Sequence, residues 1–109
     1  MKNILVTGGC GYVGTRLVPK LLDSNYKVTV IDTCWFGNKL KKNKNLVLIK
    51  KDIRNIEEKY FKNIDTVIHL ASISNDPSSI LNPKLAWEVG PLATYKILEI
   101  CIKQKIKNF

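Results

Sequence analysis

A glycine-rich segment near the start of the chain is the feature that most directly predicts chemistry. Residues 7–14 read Thr-Gly-Gly-Cys-Gly-Tyr-Val-Gly and lie between the apolar run 4–6 and an amphipathic stretch that reaches about residue 22. An extended run, a tight glycine turn and a helix, in this order, direct free backbone N–H groups and the positive end of a helix dipole at an anion. The pattern therefore predicts a cradle for the pyrophosphate of a dinucleotide.

Individual positions in this loop have separate predicted roles. Gly8 and Gly11 let the backbone turn and bring its amides against the phosphates, and Gly14 lets the helix pack closely on the strand. Tyr12 and Val13 offer backbone N–H groups to the phosphates, and we expect their side chains to pack against the protein. These five residues form the first part of a predicted cofactor site.

The second part is a carboxylate, Asp32, at the end of the Val/Ile-rich segment 27–32. It follows Gly14 at close to the ~20-residue offset of the group that hydrogen-bonds an adenosine ribose. A carboxylate there accepts from the ribose hydroxyls of NAD and repels the 2′-phosphate of NADP. The alternative is that Asp32 only ends a strand, as Asp often does. The glycine loop favours the ribose role, and NAD is the predicted cofactor.

Length and charge limit the function classes. The chain has 109 residues and a formal net charge of +9, which is one domain at most and short for a dinucleotide-binding enzyme with two sheet halves. Its lysine cluster, at residues 39–44, alternates with Asn and indicates a solvated loop. Nucleic-acid binding is the alternative that the charge supports. Because Arg16 and Arg54 are the only arginines and no reading motif is present, we predict no nucleic-acid partner.

The cysteine and histidine content predicts no metal site. Cys10, Cys34 and Cys101 form no CxxC pair, which is typical of a reducing compartment. Cys10 lies near a predicted helix N-terminus, where a thiol pKa can fall, but a small residue filling a tight loop is the favoured interpretation. His69 lies in an apolar strand without a second histidine, so we expect it to be buried and hydrogen-bonded. With neither a leader peptide nor ~20 consecutive apolar residues, we expect a cytoplasmic protein without membrane association.

Alternating strands and helices must position these residues. The predicted elements are strands at 4–6, 27–32, 46–49 and 65–71, helices at 14–22 and 83–107, and a short helix or turn at 56–61. Short apolar strands separated by helices predict an α/β fold with a parallel sheet covered on both faces. Right-handed crossovers give a Rossmann-type, doubly wound sheet with strand order 3-2-1-4, limited here to one half of that fold.

With these features the chain resembles the extended short-chain dehydrogenase/reductase superfamily, and within it the NAD-dependent nucleotide-sugar epimerases and dehydratases. The resemblance covers essentially all 109 residues. Residues 7–14 are similar to the family's TGGxGYVG, with Asp32 as the ribose carboxylate. The resemblance implies NAD as cofactor, a nucleotide sugar as substrate of the full-length proteins, and a homodimer that forms through the helix at 83–107.

The resemblance also implies further residues that contact the cofactor. Asp52 and Ile53 match the family's acidic–apolar pair, whose aspartate meets the adenine edge. Leu70, Ala71 and Ser72 match part of the HLAA segment beside the nicotinamide ribose.

Two departures from the family pattern bear on function. Members usually carry an Asn in the long helix where this chain has Gly90, followed by Pro91, a pair that removes a hydrogen bond or kinks the helix. The catalytic Tyr of the family is followed four residues later by Lys, and none of the four tyrosines here has Lys at that offset. We therefore expect residues 1–109 to be an NAD-binding Rossmann domain without the catalytic Tyr-Lys segment or the substrate domain, and inert alone.

A different class of function remains open. A stand-alone dinucleotide-binding module, or a subunit completed by a partner chain, would keep the cofactor site without catalysis. In such a module the strand at 65–71 would be an exposed apolar edge with no charge or proline at residues 67–70 to block pairing. That edge favours the truncated enzyme over the module.

Overall fold

A parallel four-stranded sheet lies at the centre of the molecule. The computed structural model describes residues 2–34, 37–71, 83–84 and 88–109. The strands are β1 (Asn3–Thr7), β2 (Lys27–Asp32), β3 (Leu46–Lys50) and β4 (Thr66–His69). They are ordered β3-β2-β1-β4, and each neighbouring pair is parallel. The predicted Rossmann-type α/β fold and its 3-2-1-4 order are confirmed.

The register of the sheet places the ends of three strands side by side. Thr7, the last residue of β1, is opposite Ile31 on one side and His69 on the other. The carboxyl ends of β1, β2 and β4 therefore meet at one edge, which is where open α/β sheets bind their ligands.

Helix α1 (Gly14–Asp23) begins at the residue that the glycine pattern predicts. It buries Gly14 and Val18 against the sheet side and exposes its polar residues. After it ends, Asn25 adopts a left-handed conformation with φ 68°, which turns the chain into β2.

The connection from β3 to β4 contains two 3₁₀ turns, Ile53–Asn55 and Glu58–Phe61. The sequence predicted one helix or turn over residues 56–61. The first turn begins earlier because the Asp52 side chain accepts the backbone N–H of Arg54 and caps a turn there.

The last helical segment is interrupted at the predicted Gly90–Pro91 pair. A π-helical turn spans Glu88–Leu92, because Pro91 has no N–H to continue a regular α-helix. The Thr94 hydroxyl donates to the Gly90 carbonyl at 2.8 Å and replaces part of the missing bonding. Pro83 and Lys84 are helical as predicted.

Helix α2 (Ala93–Lys103) follows the π turn and ends before the predicted Lys107. Lys105 has φ 55°, a left-handed conformation that reverses the chain. Asn108 then forms a parallel bridge with Thr66, and its carbonyl accepts the N–H of Val67 at 2.9 Å. The end of the chain therefore lies beside β4, joined to it by this single bridge.

Apolar clusters cover both faces of the sheet, as the strand pattern predicted. The α1-side cluster comprises Ile4, Val6, Cys10, Val18, Val28 and Val30. The α2-side cluster comprises Leu5, Ile31, Ile53, Ile56, Phe61, Val67, Ala93, Ile97, Ile100 and Cys101. Successive residues of β1 alternate between the two clusters because side chains on a strand alternate between its faces.

Candidate dinucleotide-binding site

The glycine loop turns tightly from β1 into α1. Gly8 has φ 74°, a conformation that side chains disfavour, and its N–H donates to the Ile31 carbonyl at 2.9 Å. The N–H of Gly11 donates to the Gly8 carbonyl at 3.1 Å and closes the turn. The loop thus has the strand–turn–helix geometry that an anion site at a helix N-terminus requires.

The loop backbone packs too closely for side chains. A Cβ on Gly8 would lie 2.7 Å from the backbone N of Ala71, and one on Gly11 would lie 3.3 Å from the Gly8 carbonyl oxygen. A Cβ on Gly14 would lie 2.5 Å from the Cα of Gly9. Gly14 is therefore required by contact with the loop, rather than by the close packing on the strand that we expected. The close approach of these backbone segments therefore excludes side chains at Gly8 and Gly14.

Gly9 was not among the residues predicted from the sequence. A Cβ there would lie 2.6 Å from Cγ1 of Val30, which is buried in β2. The Gly-Gly pair in the loop was the available signal, but the neighbour that forbids a side chain belongs to another strand. Only the sheet register brings the two residues together.

The side chains of Tyr12 and Val13 point into solvent, 76 % and 56 % exposed. The expectation that they pack against the protein is wrong. The Arg16 guanidinium lies over the Tyr12 ring instead, with its Cζ atom 4.7 Å from the ring centroid. Within the described part of the chain, the backbone N–H groups of Tyr12 and Val13 have no acceptor. Both N–H groups are therefore available as hydrogen-bond donors.

Asp32 lies beside the glycine loop. Its Oδ2 accepts the backbone N–H of Cys10 at 2.9 Å, and its Oδ1 accepts that of Cys34 at 2.8 Å. The second bond holds Cys34 in a left-handed conformation, φ 58°. Each carboxylate oxygen keeps a further lone pair, so the group can still accept ribose hydroxyls.

The thiols of Cys10 and Cys34 are in contact, with their sulfurs 2.8 Å apart. Burial, the Cys34 hydrogen bond and the negative charge of Asp32 together raise the pKa of Cys10 to about 12. The helix N-terminus therefore does not activate this thiol. Its burial agrees with the interpretation of Cys10 as a small residue that fills the loop.

Asp52 and Ile53 follow the end of β3, the strand that pairs with β2. The Arg54 guanidinium donates to both Asp52 oxygens at 2.6–3.0 Å, and this contact lowers the pKa of the Asp52 carboxyl. The same guanidinium reaches Glu88 at 3.0 Å. Ile53 is buried in the α2-side cluster. Arg54, which was not predicted as a site residue, thus fixes the orientation of Asp52.

The segment after β4 lies against the glycine loop. The backbone N–H groups of Leu70 and Ala71 donate to the Thr7 hydroxyl oxygen at 3.1 and 3.2 Å. Ala71 also lies next to Gly8. Ser72, the third predicted residue of this segment, lies outside the described residues.

His69 belongs to a chain of hydrogen bonds across the sheet end. Because the Thr7 oxygen already accepts two backbone N–H groups, its own proton goes to Nδ1 of His69. Nε2 then carries the ring proton and donates to Thr94 at 2.9 Å, and Thr94 donates to the Gly90 carbonyl. Burial lowers the pKa of His69. His69 is hydrogen-bonded through both ring nitrogens, as predicted, but it is only partly buried.

Three observations bear on a metal site, a basic surface and a membrane span. Among the described residues, three or more His, Cys, Asp or Glu side chains are nowhere grouped in a way that could hold a metal. Lys41, Lys42 and Lys44 are exposed and line an open cleft of about 530 Å³ together with Asn and Leu side chains. The helices of the described part are all too short or too polar to cross a membrane.

A parallel sheet whose first strand leads through a glycine turn into a helix N-terminus is the architecture of Rossmann-type dinucleotide-binding proteins, and this chain has it. The model of the NAD dependent epimerase/dehydratase family matches residues 4–109. The chain belongs to this family, and it aligns to the family's N-terminal part.

Solved structures and curated sequences agree with this assignment. UDP-N-acetylglucosamine 4-epimerase from Methanobrevibacter ruminantium is 34 % identical with a TM-score of 0.89, over 97 % of this chain and 36 % of that one. The UDP-glucose 4-epimerase of Thermus thermophilus, solved with NAD, is 30 % identical with a TM-score of 0.84, over 95 % and 35 %. A provisionally named UDP-glucose 4-epimerase of Methanocaldococcus jannaschii is 39 % identical over 94 % of this chain and 35 % of its own length. The chain thus spans about a third of the length of these relatives.

Proposed function

We propose that residues 1–109 form the NAD-binding Rossmann domain of a nucleotide-sugar epimerase or dehydratase. The observation that carries the proposal is the tight glycine turn from β1 into α1, where a Cβ on Gly8 or Gly14 would overlap backbone atoms of Ala71 or Gly9. The Asp32 carboxylate lies beside this turn, hydrogen-bonded to the loop through the N–H of Cys10. The NAD complex of the Thermus relative, which shares the fold, supports the choice of cofactor.

The proposed contacts divide the cofactor into four parts. The loop backbone binds the pyrophosphate, Asp32 accepts the adenosine ribose hydroxyls, Asp52 and Ile53 meet the adenine, and the segment after β4 lies beside the nicotinamide ribose. The residues proposed to bind NAD are Gly8, Gly11, Tyr12, Val13, Gly14, Asp32, Asp52, Ile53, Leu70, Ala71 and Ser72. NAD supplies an acceptor for hydride from a sugar hydroxyl when it is bound. The negative charge of Asp32 selects against the 2′-phosphate of NADP.

The proposal separates cofactor binding from catalysis. No tyrosine of the chain has a lysine four residues later, so the family's Tyr-Lys base is not among its residues. The 109-residue chain therefore binds NAD without epimerase activity by itself. It functions as part of a longer enzyme that takes a nucleotide sugar. A dinucleotide-binding subunit completed by a partner chain is the alternative, and it predicts that a separate catalytic chain restores activity.

The proposed assembly is a cytoplasmic homodimer formed through the last helix. Four apolar side chains of this region are exposed at helical spacing: Leu92, Tyr95, Leu98 and Ile102. A stripe of this kind is suited to pack against a second copy of the helix. The three free thiols are compatible with a reducing compartment.

Calorimetric titration of the chain with NAD and NADP tests the proposed function. We expect NAD to bind more tightly than NADP. Asp32→Ala should weaken the binding of NAD by about 1.5–3 kcal/mol, because hydrogen bonds to a charged group are lost. Asp23→Ala is the matched control, since Asp23 is exposed at the end of α1 and remote from the loop. A folded chain that does not bind NAD, or an Asp32→Ala variant that binds it normally, would overturn the proposal.

A further inference from the structure

Cys10 and Cys34 meet directly beside the Asp32 carboxylate, although 24 residues separate them in the sequence. Both backbone N–H groups donate to this carboxylate, which fixes the two cysteines relative to each other. Their sulfurs are 2.8 Å apart, and a disulfide requires ~2.05 Å. Bond formation therefore needs a movement of less than ~1 Å.

The three thiols of the chain differ in accessibility. Cys34 is partly exposed, whereas Cys10 is buried beneath it in the α1-side cluster. Cys101 is buried in the α2-side cluster, on the opposite face of the sheet. A reagent in solution thus reaches Cys34 first, and Cys10 is the thiol positioned to react with any adduct formed there.

We propose that Cys10 and Cys34 form a reversible dithiol–disulfide site whose oxidant is a low-molecular-weight disulfide such as oxidised glutathione. The Cys34 thiolate attacks this disulfide, which gives a mixed disulfide and expels one glutathione thiolate. Cys10 then gives up its proton, attacks the Cys34 sulfur and expels the second glutathione thiolate, which takes up a proton. The protein loses two electrons and two protons, which are recovered in two molecules of glutathione thiol. A reducing dithiol reverses both steps.

The order of the two steps follows from the environment of each sulfur. Burial raises the pKa of Cys10 to about 12, so Cys10 remains a thiol and does not make the first attack. Once Cys34 carries an adduct, it no longer supplies the hydrogen bond that adds to this pKa shift. The second attack is intramolecular and is favoured by the short distance between the sulfurs.

The disulfide would link the glycine loop to the segment after β2, across the carboxylate that the ribose must reach. This consequence rests on the proposed NAD-binding function. We expect the oxidised chain to bind NAD about tenfold more weakly, within the usual range of coupling between two sites. By reciprocity, saturating NAD protects the dithiol from oxidation by the same factor.

Mass spectrometry of the full 109-residue chain, equilibrated in glutathione redox buffers, quenched with acid and then alkylated in denaturant at neutral pH, tests the disulfide. The expected product has lost the mass of two hydrogen atoms and is alkylated at Cys101 only. Cys101→Ser should form the same disulfide and take up no alkylating reagent, whereas Cys10→Ser should stop at a glutathione adduct on Cys34. A persistent adduct on the unaltered chain, a linkage between two chains, or a bond that involves Cys101 would overturn the assignment.

Titration of the reduced and oxidised chains with NAD tests the consequence. Weaker binding after oxidation, restored by dithiothreitol, supports a disulfide that closes the site, and equal binding overturns it. If the reduced chain does not bind NAD, the proposed function fails and the closing effect fails with it. The mass measurement still decides separately whether the disulfide forms.

Discussion

The hydroxyl group of Thr7, at the end of the central strand, is hydrogen-bonded to Nδ1 of His69, at the end of the neighbouring strand β4. Thr7 is wholly buried, and its oxygen also accepts the backbone N–H groups of Leu70 and Ala71. One small side chain therefore contacts three polar groups, of which the Leu70 N–H also donates to the Thr7 carbonyl at 2.9 Å. It also holds the segment after β4 against the glycine loop.

Replacing Thr7 with Val should lower the free energy of unfolding by about 1–3 kcal/mol, because buried polar partners lose their hydrogen bonds while the shape is kept. Urea denaturation measures this change. Thr29→Val is the control, since Thr29 lies on β2 and has no side-chain hydrogen bond within the described part of the chain. Equal effects of the two substitutions would show that the Thr7 hydroxyl has no special role.

The stability of the chain should depend on pH through its only histidine. Burial holds the pKa of His69 below its ordinary 6.5. Below that pH the unfolded chain takes up a proton that the native chain does not. His69 therefore leaves stability unchanged above the ordinary pKa and lowers it progressively as the pH falls toward the native pKa.

Urea denaturation of the unaltered chain and His69→Gln, from about pH 7 to pH 5, measures this dependence. The substitution should flatten the decline. Asp52 and Glu57 also have lowered pKa values, but their ordinary values of 3.8 and 4.5 place their effect at lower pH. The same decline in both proteins would contradict the assignment to His69.

Gly9→Ala should destabilise the chain by about 1–3 kcal/mol, because the added methyl overlaps Val30. Gly90→Ala is the matched control, since no atom lies within 4 Å of a Cβ at that position. Thermal unfolding compares the two variants. Combining Gly9→Ala with Val30→Ala should cost less than the sum of the two single changes. Strict additivity would disprove the overlap.

Arg54→Met should raise the pKa of Asp52 toward its ordinary value of 3.8, because the guanidinium that donates to this carboxylate is lost. Titration followed by NMR of the Asp52 side chain measures the shift. Lys59→Met removes a neighbouring cation that contacts Glu57 instead, and it should leave Asp52 unchanged. An unchanged Asp52 pKa in Arg54→Met would show that the ion pair does not form in solution.

If the proposed homodimer forms, substitution of one exposed side chain in its interface should change the oligomeric state of the protein. Ile102 is 77 % exposed on α2, and Ile102→Glu should convert a dimer to a monomer by placing charge in the apolar stripe. Sedimentation velocity distinguishes the two states. Val47→Glu, which alters an exposed residue of β3, should leave the dimer intact. A chain that is monomeric before any substitution would refute an interface on α2.

Much of the fold was predictable because its signals are local. The Val/Ile-rich run placed β2 at Lys27–Asp32, and the glycine pattern placed the start of α1 at Gly14. Handedness of the crossovers then gave the strand order. The Gly90–Pro91 pair likewise indicated the interruption that the structure shows as a π turn.

What the sequence did not predict depends on contacts between distant segments. The steric conflict of Gly9 with Val30 follows from sheet register, not from either residue's neighbours in the chain. The contact of Cys10 with Cys34 likewise depends on Asp32 holding both backbones. Spacing alone could identify the carboxylate as a site residue, but not the thiols that meet beside it.

The central position of β1 has a consequence for the order of folding. Its partner β2 follows after one helix, whereas its contact with β4 joins residues 62 positions apart. Closing the longer loop costs more chain entropy, so β1 should pair with β2 first and be completed by β4 later. In pulse-labelling hydrogen exchange, the β1 amides that face β2 should gain protection before those that face β4. The strand that leaves the ribosome before its two partners would thus be among the last to be fully hydrogen-bonded.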